Sequence, residues 1–275
     1  IGGSHKSALL LIKNLDKRKF NSMVVLHCEG ILSKFLKKEK IEYKILPISN
    51  LAGSKPSIIN IFFSIIKSFF KIKKFIKKNN IDIVHSNDLR CNLTWGLVSK
   101  IYAKHIWHQR TILSNSRTWY AIGFFTNQVI CISNTVRNTY KSFGKVVTLY
   151  NPFKKVEINK SEAKKRLIKK INIPLESTII GYVGRLTETK GFDKFLNMSR
   201  HMPKSIFLAI GHNKKNFQSK NNIYYFGQTD DIESILASLD VLIAPSNKDG
   251  FGRVLVESML VETPVIASDI PAHLE

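Results

Sequence analysis

Two carboxylates flank a glycine-rich turn in the stretch APSNKDGFGRVLVESM, residues 244–259. Asp249 and Glu257 have seven residues between them. Carboxylate oxygens bind sugar and ribose hydroxyls well, because each oxygen accepts charge-assisted hydrogen bonds. Gly250 and Gly252 let backbone N–H groups approach a phosphate at the start of the helix that should follow. The stretch therefore combines contacts for a sugar with contacts for a phosphate.

Each carboxylate also has a simpler interpretation. Asp249 precedes the predicted helix, where its side chain can serve as an N-cap. Glu257 lies one turn on from Arg253, so the two share a helix face. Glu257 could be an ordinary exposed helix residue, but its apolar neighbours Val256 and Met259 favour a more specific role.

A second stretch, GYVGRLTETKGFDKFL at residues 181–196, supplies two cations. It predicts a strand, a loop carrying Arg185 and Lys190, and a helix that begins near Gly191–Phe192. An Arg fork and a Lys point charge five residues apart can clamp a diphosphate, and the helix start adds its dipole and free N–H groups. Taken alone, the two cations could equally be plain surface charges.

Short apolar strands alternate with helical patterns along the whole chain, which is the βαβ rhythm of a parallel sheet covered on both faces. The predicted strands cover residues 22–28, 41–48, 81–88, 104–110, 127–133, 145–151, 178–184, 205–211, 222–227, 240–246 and 263–269. A Pro- and Lys-rich segment interrupts the rhythm after residue 151, where Ser161 could cap a short helix. We therefore predict an α/β protein with two Rossmann-like domains, residues 1–151 and 152–275.

These motifs, in this order and spacing, resemble the donor domain of glycosyltransferase family 4. GRLTETKG is followed at the right distance by APSNKDGFGRVLVESMLVETPVIASDIPAHLE, and the pair is highly specific. Upstream, IGGSHKSALLLIKNL resembles the family's glycine-rich loop and first helix, and VVTLYNPF resembles its domain junction. The resemblance covers nearly the whole chain. It implies a GT-B architecture with the active site in a central cleft, and a chain lacking the first strand and the C-terminal helices.

The resemblance also implies roles for individual residues. Arg185 and Lys190 would bind the donor diphosphate and Glu257 would hold ribose hydroxyls. The loop from Asp249 through Gly250, Phe251, Gly252 and Arg253 to Val254 would meet the transferred sugar and the phosphate. From the N-terminal domain, Gly3 would lie close to the donor. His108, at a strand end in IWHQRT, resembles a histidine that faces the donor sugar; packing is the competing interpretation, and His85 is a weaker candidate of the same kind.

The implied reaction is transfer of a sugar from a nucleotide diphosphate sugar to an acceptor hydroxyl with retention, with Asp249, Arg185, Lys190 and His108 as the catalytic group. We expect cell-envelope polysaccharide or lipopolysaccharide synthesis, no metal and no other cofactor. The family has Glu where this chain has Asp249, one methylene shorter, which bears on the donor sugar or on the efficiency of the reaction. The alternative is an impaired remnant that binds nucleotide sugar or anionic glycan without turnover.

The positive charge is concentrated in the first part of the chain. Residues 1–175 carry a net charge of +25 and residues 176–275 carry −2, which gives the total of +23. This predicts an anionic partner: a glycan or lipid-linked acceptor and an anionic membrane surface. Nucleic acid is disfavoured, because no basic-aromatic interleaving or groove-reading helix is present. Codon bias is the competing explanation, but it should have raised both parts alike.

Three cysteines with neither pairing nor metal spacing, Cys28, Cys91 and Cys131, predict a cytoplasmic protein, at the inner face of the cell membrane if the basic domain contacts lipid. The segment SIINIFFSIIKSFFKIKKFIKKNN, residues 57–80, is strongly apolar, with one polar stripe formed by Asn60, Ser64, Lys67, Lys71, Lys74 and Lys78. Lys67 interrupts the apolar run too early for a bilayer span. We favour a helix packed on the sheet and keep open an interfacial helix that touches anionic lipid.

Overall fold

The computed structural model describes residues 2–48, 57–113, 123–139, 145–212 and 218–275. The chain divides into two compact units, Ile1–Pro152 (unit 1) and Phe153–Glu275 (unit 2). All eleven predicted strands are present at the predicted places, and every strand pairing within the three sheets is parallel. The α/β expectation is therefore confirmed for both units.

Unit 1 holds a two-stranded sheet, β1-β2, and a four-stranded sheet of order β3-β4-β5-β6. Its elements are α1 Gly3–Asn14, β1 Val24–Leu26, α2 Ile31–Lys38, β2 Tyr43–Ile45, α3 Ile58–Lys78, β3 Ile83–Asn87, α4 Asp88–Tyr102, β4 Lys104–Gln109, a 3₁₀ turn Gly123–Phe125, β5 Gln128–Cys131, α5 Asn134–Asn138 and β6 Val146–Thr148.

Helix α3 packs one apolar face on unit 1, as the favoured interpretation of its sequence predicted. Ile72 and Ile76 are fully buried against Trp95 and Val98 of α4. Lys67, Lys71, Lys74 and Lys78 are exposed, while the side chains of Asn60 and Ser64, the other members of the predicted polar stripe, lie outside the described residues. Within the described ranges, no helix is both long enough and apolar enough to cross a membrane.

Unit 2 is one five-stranded parallel sheet of order β11-β10-β7-β8-β9 with helices on both faces. Its elements are α6 Lys160–Ile171, β7 Ile179–Val183, a 3₁₀ turn Glu188–Lys190, α7 Phe192–His201, β8 Ile206–Ile210, β9 Ile223–Gly227, α8 Ile232–Ala237, β10 Val241–Ala244, α9 Arg253–Leu260, β11 Val265–Ala267 and α10 Pro271–Leu274. The chain winds outward from β7 in one direction and then from β10 in the other. The strand order therefore reverses between β7 and β10, and ligands of such sheets bind outside the carboxyl ends of the strands at that point.

Alternating strand residues build a separate core on each face of this sheet. Ile179, Leu208 and Leu242 are fully buried on one face, in the cluster that includes α6 and α8. Phe207 is fully buried on the other face, where the core also contains Phe195 of α7. Because each buried side chain of this size contributes roughly 1.5–3 kcal/mol, the two cores fix the strand ends on which the loops of the site are mounted.

The N-cap of α6 differs from the prediction. The helix begins one residue before Ser161, and the side chain of Asn159 accepts a hydrogen bond from Glu162 N at 3.1 Å. Asn and Ser are about equally good caps, so the sequence offered two candidates and the register of the helix on the core selected the earlier one.

We predict that Gly191→Ala destabilises unit 2 far more than Gly227→Ala. Both glycines have positive φ, at +70° and +85°, but a Cβ on Gly191 would lie 2.0 Å from Pro245 O, whereas a Cβ on Gly227 has no atom within 4 Å. Left-handed backbone costs a non-glycine residue about 1–2 kcal/mol, and the backbone clash should bring Gly191→Ala to about 2–5 kcal/mol. Hydrogen exchange measures the free energy of unfolding of unit 2 in both variants. Equal losses of that free energy would contradict the packing argument.

Candidate functional site

The loops that follow β7 and β10 are joined by hydrogen bonds at the point where the strand order reverses. Asn247 donates its backbone N–H to Thr189 O at 3.1 Å and its side-chain amide to Glu188 O at 3.0 Å. Lys194 of α7 donates to Asn247 Oδ1 at 2.6 Å. The two sequence stretches singled out for their chemistry therefore form one surface in unit 2.

A buried tyrosine contacts the backbone of the loop after β7 at two points. Tyr182 is 2% exposed, and its hydroxyl contacts Arg185 O at 2.7 Å and Lys190 O at 3.3 Å. Helix α7 begins at Phe192, as predicted, directly after Gly191. Arg185 itself is exposed and makes no side-chain hydrogen bond or ion pair with the residues that the structure describes. The loop backbone is thus fixed while the Arg185 guanidinium is available to a ligand.

Lys190 and Asp249 form an ion pair across the two loops. Lys190 Nζ lies 2.6 Å from Asp249 Oδ2, and about a fifth of each side chain is exposed. Asp249 Oδ1 accepts the backbone N–H of Gly250 at 2.8 Å. Burial by itself raises the pKa of Asp249, but its contacts with His273, Lys190 and the Gly250 N–H outweigh burial and hold that pKa well below its usual range. The carboxylate is therefore charged and forms an ion pair with Lys190, the residue that was predicted to bind phosphate.

His273 is a member of this site that the sequence analysis missed. Its side chain is 2% exposed, and its Nε2 lies 3.9 Å from Asp249 Oδ2. Its Nδ1 lies 3.1 Å from Ser268 O, and the other ring nitrogen, Nε2, is the one that faces the carboxylate. The ring also packs close to Gly252, whose Cβ would lie 3.0 Å from His273 Cδ2. The only signal in the sequence was a histidine shortly after the last strand.

Arg253 and Glu257 form the second ion pair of the site, on one face of α9 as predicted. Arg253 Nε and Nη2 both donate to Glu257 Oε1, at 3.0 and 2.9 Å. Within the described residues Glu257 Oε2 makes no hydrogen bond, so one oxygen of a well-oriented carboxylate is available to a ligand. The Arg253 guanidinium also lies 4.4 Å above the ring of Phe153, which stacks on Phe251 at 6.0 Å. Glu257 is therefore not the ordinary exposed residue of the simpler interpretation.

Asp249 is not the N-cap of α9, which corrects the simpler interpretation of that residue. The N-cap is Gly252, in the left-handed region at φ +78°, with no side-chain cap. Phe251 and Gly250 lie between Asp249 and the cap, and Val254 lies in the first turn of the helix. The carboxylate is therefore part of the loop and is directed to Lys190 and away from the helix end.

A separate polar cluster lies at the carboxyl ends of β3 and β4 in unit 1. His108 is 5% exposed, and its ring stacks on that of His85 with 3.2 Å between His85 Nε2 and His108 Nδ1. Buried Arg110 donates to Asn87 Oδ1 and Asn151 Oδ1 at 2.9–3.0 Å and lies 3.4 Å from His108 Nδ1. The sequence named both histidines but not Arg110, Asn87 and Asn151, because only the parallel pairing of the strands in the four-stranded sheet brings them together.

The chemistry of this cluster follows from its donors. A guanidinium can only donate, so His108 Nδ1 is the accepting nitrogen and the proton of the neutral ring is on Nε2. Burial, Arg110 and His85 lower the pKa of His108 to about 3, and burial, Arg110 and His105 lower that of His85 to about 4. His108 Nε2 is buried and has no hydrogen-bond partner in the part of the chain that the structure describes. His108 is thus a neutral hydrogen-bond donor near pH 7.

The remaining predicted residue, Gly3, is the first residue of α1 in unit 1. The proximity of Gly3 and His108 to a donor stays a prediction, as do the individual roles in the donor site. No group of three or more His, Cys, Asp or Glu suited to a metal ion occurs among the described residues. The expectation of a metal-free, cofactor-free site likewise stays a prediction.

Comparison with known proteins matches both units to family models. The model of Glycosyltransferase Family 4 matches residues 1–154, and the model of Glycosyl transferases group 1 matches residues 163–275. The chain is 24% identical to the O-antigen biosynthesis glycosyltransferase WclY of Escherichia coli over 91% of its own length and 70% of the relative.

A second relative carries a more specific name. It is N,N'-diacetylbacillosaminyl-diphospho-undecaprenol alpha-1,3-N-acetylgalactosaminyltransferase of Campylobacter jejuni, 23% identical over 78% of the chain and 65% of the relative. Among solved structures, Anabaena HepE in complex with UDP and glucose superposes with a TM-score of 0.79 at 19% identity, covering 99% of this chain and 79% of HepE. The similarity confirms the predicted GT-B fold.

Unit 1 should lose stability on mild acidification because of its buried neutral histidines. Below the ordinary histidine pKa of 6.5 the unfolded chain binds protons that folded His108 and His85 do not, so the free energy of unfolding falls as the pH drops from 6.5 towards their folded pKa values of about 3 and 4. At pH 5 each can contribute up to about 2 kcal/mol of this loss.

Tryptophan fluorescence measures this effect in unit 1, since all three tryptophans of the chain lie there. Between pH 7.5 and 5, His108→Gln should lose less stability than the wild type. His201→Gln, at an exposed position of unit 2, should behave as the wild type. An unchanged pH dependence in His108→Gln would contradict the neutral assignment.

Proposed function

The chain belongs to Glycosyltransferase Family 4, and on this premise we propose that it transfers a sugar from a nucleotide diphosphate sugar to an acceptor hydroxyl, with retention, in cell-envelope polysaccharide or lipopolysaccharide synthesis. The observation that carries the proposal is the pair of ion pairs where the strand order of unit 2 reverses. Lys190–Asp249 and Arg253–Glu257 there present two cations and two carboxylates around a glycine-rich helix start.

The diphosphate is proposed to bind the cations and N–H groups of the two loops. Arg185 is exposed, and helices α7 and α9 both have a glycine N-cap in this region. Fixed donors aimed at a leaving diphosphate stabilise the charge that develops as the bond to the sugar breaks. Lys190 is proposed to join them by exchanging its contact with Asp249 for one with a phosphate oxygen, so that phosphate and carboxylate compete for one ammonium group.

Glu257 is proposed to bind the ribose. Arg253 fixes its Oε1 through two hydrogen bonds, which leaves Oε2 to accept from ribose hydroxyls. Asp249, released from Lys190, is proposed to accept from a hydroxyl of the transferred sugar. In unit 1, neutral His108 is proposed to donate from Nε2 to a sugar oxygen. None of these groups needs to act as a covalent nucleophile.

The acceptor is proposed to be a glycan or a lipid-linked sugar handled at a cytoplasmic membrane surface. The name of the Campylobacter jejuni relative specifies a diphospho-undecaprenol acceptor for that protein. In this chain, α3 exposes an apolar stripe at helical spacing. Its members are Ile59, Phe62, Phe63, Ile66 and Phe70, each 48–73% exposed.

Lysines surround this stripe and none of them is ion-paired within the described residues, so the helix fits an anionic interface. Flotation with anionic vesicles tests this contact. Phe63→Ser/Phe70→Ser should weaken binding, whereas the control pair Ile101→Ser/Leu149→Ser, at positions that are also more than half exposed, should not. Equal binding by both double variants would refute the assignment to α3.

A screen of nucleotide diphosphate sugars, read out as release of the nucleoside diphosphate, tests the reaction itself. An enzyme releases nucleotide catalytically when donor and acceptor are both supplied. A non-catalytic binder holds the donor and releases none, and that result would overturn the proposed reaction. The same screen identifies the sugar and the base.

Neutralising Glu257 and neutralising Asp249 should have different effects on ligand binding and on transfer. We expect Glu257→Gln to lower the affinity for both the intact donor and the free nucleoside diphosphate by roughly ten-fold or more, since a charge-assisted contact contributes about 1.5–3 kcal/mol. Asp249→Asn should bind the free nucleoside diphosphate more tightly, because Lys190 is released, and should slow transfer. Asp249→Glu should change sugar preference while keeping activity.

Calorimetry on the three variants, with donor and with free nucleoside diphosphate, measures these differences. If Asp249→Asn lowers the affinity for nucleoside diphosphate as much as Glu257→Gln does, Asp249 does not act on the sugar and the division of roles is wrong.

A further inference from the structure

A pocket of about 300 Å³ lies in unit 1 between α3 and the carboxyl ends of β1 and β2. It is lined by His27, which follows β1, by Pro47 and Ile48, which follow β2, and by Lys67 and Lys71 of α3. Ligands of parallel sheets bind at the carboxyl ends of strands. Nothing in the donor chemistry of unit 2 uses this pocket.

The two lysines give the pocket a positive charge that the described residues do not neutralise. Helix α3 contains no acidic residue, and neither Lys67 nor Lys71 forms an ion pair with any residue that the structure describes. They lie one turn apart, so their Cβ atoms are about 6 Å apart on one side of the helix. Lys71 Nζ donates to Pro47 O at 3.0 Å, which holds the ammonium at the pocket wall with further N–H groups to spare. Two neighbouring ammonium groups suit two linked phosphates.

His27 adds a neutral donor to the two cations. Its Nε2 accepts from Trp95 Nε1 at 2.9 Å, and an indole N–H can only donate. The proton of the neutral ring is therefore on Nδ1, and burial lowers the pKa of His27, which keeps the ring neutral. Because His27 lines the same pocket as the two lysines, its neutral N–H is suited to donate to a phosphate or sugar oxygen there.

The apolar stripe of α3 runs alongside the same two lysines. Ile66 and Phe70 are each adjacent in sequence to one of them, and both are about half exposed or more, at 48% and 73%. A ligand that fits the pocket and the stripe together has an anionic head and a long apolar tail. A free nucleotide or an inorganic phosphate would use the pocket and leave the stripe uncovered.

We propose that Lys67, Lys71 and His27 bind the diphosphate of a lipid-linked acceptor, with the lipid chain along the apolar stripe of α3. The inference rests on the proposed function, because it assigns the acceptor of that same transfer. It commits to the isoprenoid diphosphate as the ligand; a bilayer phospholipid headgroup at this pocket would be a different outcome.

The test compares farnesyl diphosphate, farnesol and inorganic diphosphate as probes in detergent micelles, by calorimetry on the full chain. Farnesyl diphosphate should bind more tightly than either part alone. Lys67→Gln/Lys71→Gln should lower the affinity for farnesyl diphosphate at least ten-fold. The control Lys34→Gln/Lys104→Gln, at exposed positions of the same unit, should keep that affinity within two-fold of the wild type. His27→Phe, which keeps a ring beside Trp95 but removes the N–H, should weaken it by a smaller factor.

Two results would overturn the assignment. One is binding of farnesyl diphosphate by Lys67→Gln/Lys71→Gln within two-fold of the wild type. The other is equally effective displacement of farnesyl diphosphate by phosphatidylglycerol, which would identify a general lipid surface. Failure of the proposed function is separate, since it would show as no nucleotide release and no nucleoside diphosphate binding in the wild type, whereas the pocket variants should keep wild-type nucleoside diphosphate affinity.

Discussion

The proposed donor site of this protein depends on the close approach of two loops in unit 2. Gly191 has no side chain where the backbone of Pro245 passes, and Asn247 is hydrogen-bonded to the opposite loop. Without that contact the ammonium of Lys190 would not lie 2.6 Å from the carboxylate of Asp249. The cores on the two faces of the sheet hold the strands in place, and the glycine allows the loops to meet. The charges of the site then face one another because of this packing.

Four charged groups of the proposed donor site form two ion pairs, Lys190–Asp249 and Arg253–Glu257, and we propose that this pairing is the physical basis of its selectivity. A cation paired with a carboxylate is oriented without being fully neutralised, because about a fifth of each side chain still faces water. In the proposed function, a phosphate group replaces Asp249 as the anionic partner of Lys190, and Asp249 can then accept from a hydroxyl. Glu257 is held differently, since Arg253 occupies only one of its oxygens. The two carboxylates thus have different surroundings in spite of their similar chemistry, and the proposed function gives them different roles.

The sequence predicted the strands, the start of α7, the shared face of Arg253 and Glu257, and the packing of α3. Each of these follows from local periodicity or from a motif. It did not predict the contact of Lys190 with Asp249, the place of His273, or the cluster of His85, His108 and Arg110. These depend on which strands are neighbours and on which tautomer a partner imposes, and neither is encoded at a fixed spacing along the chain. The choice of Asn159 over Ser161 as a cap depended in the same way on the register of a helix on its core.

A double-mutant cycle on Lys190 and Asp249 tests the central claim, that donor diphosphate displaces the Asp249 carboxylate from Lys190. The measured quantity is the affinity for free nucleoside diphosphate in the wild type, Lys190→Gln, Asp249→Asn and the double variant, all by calorimetry. If phosphate and carboxylate compete for the same ammonium, Asp249→Asn raises the affinity in the wild-type background and has no such effect in the Lys190→Gln background, because the competition requires the lysine. Equal effects of Asp249→Asn in the two backgrounds would mean that the two residues act independently on the nucleotide, and would contradict the account.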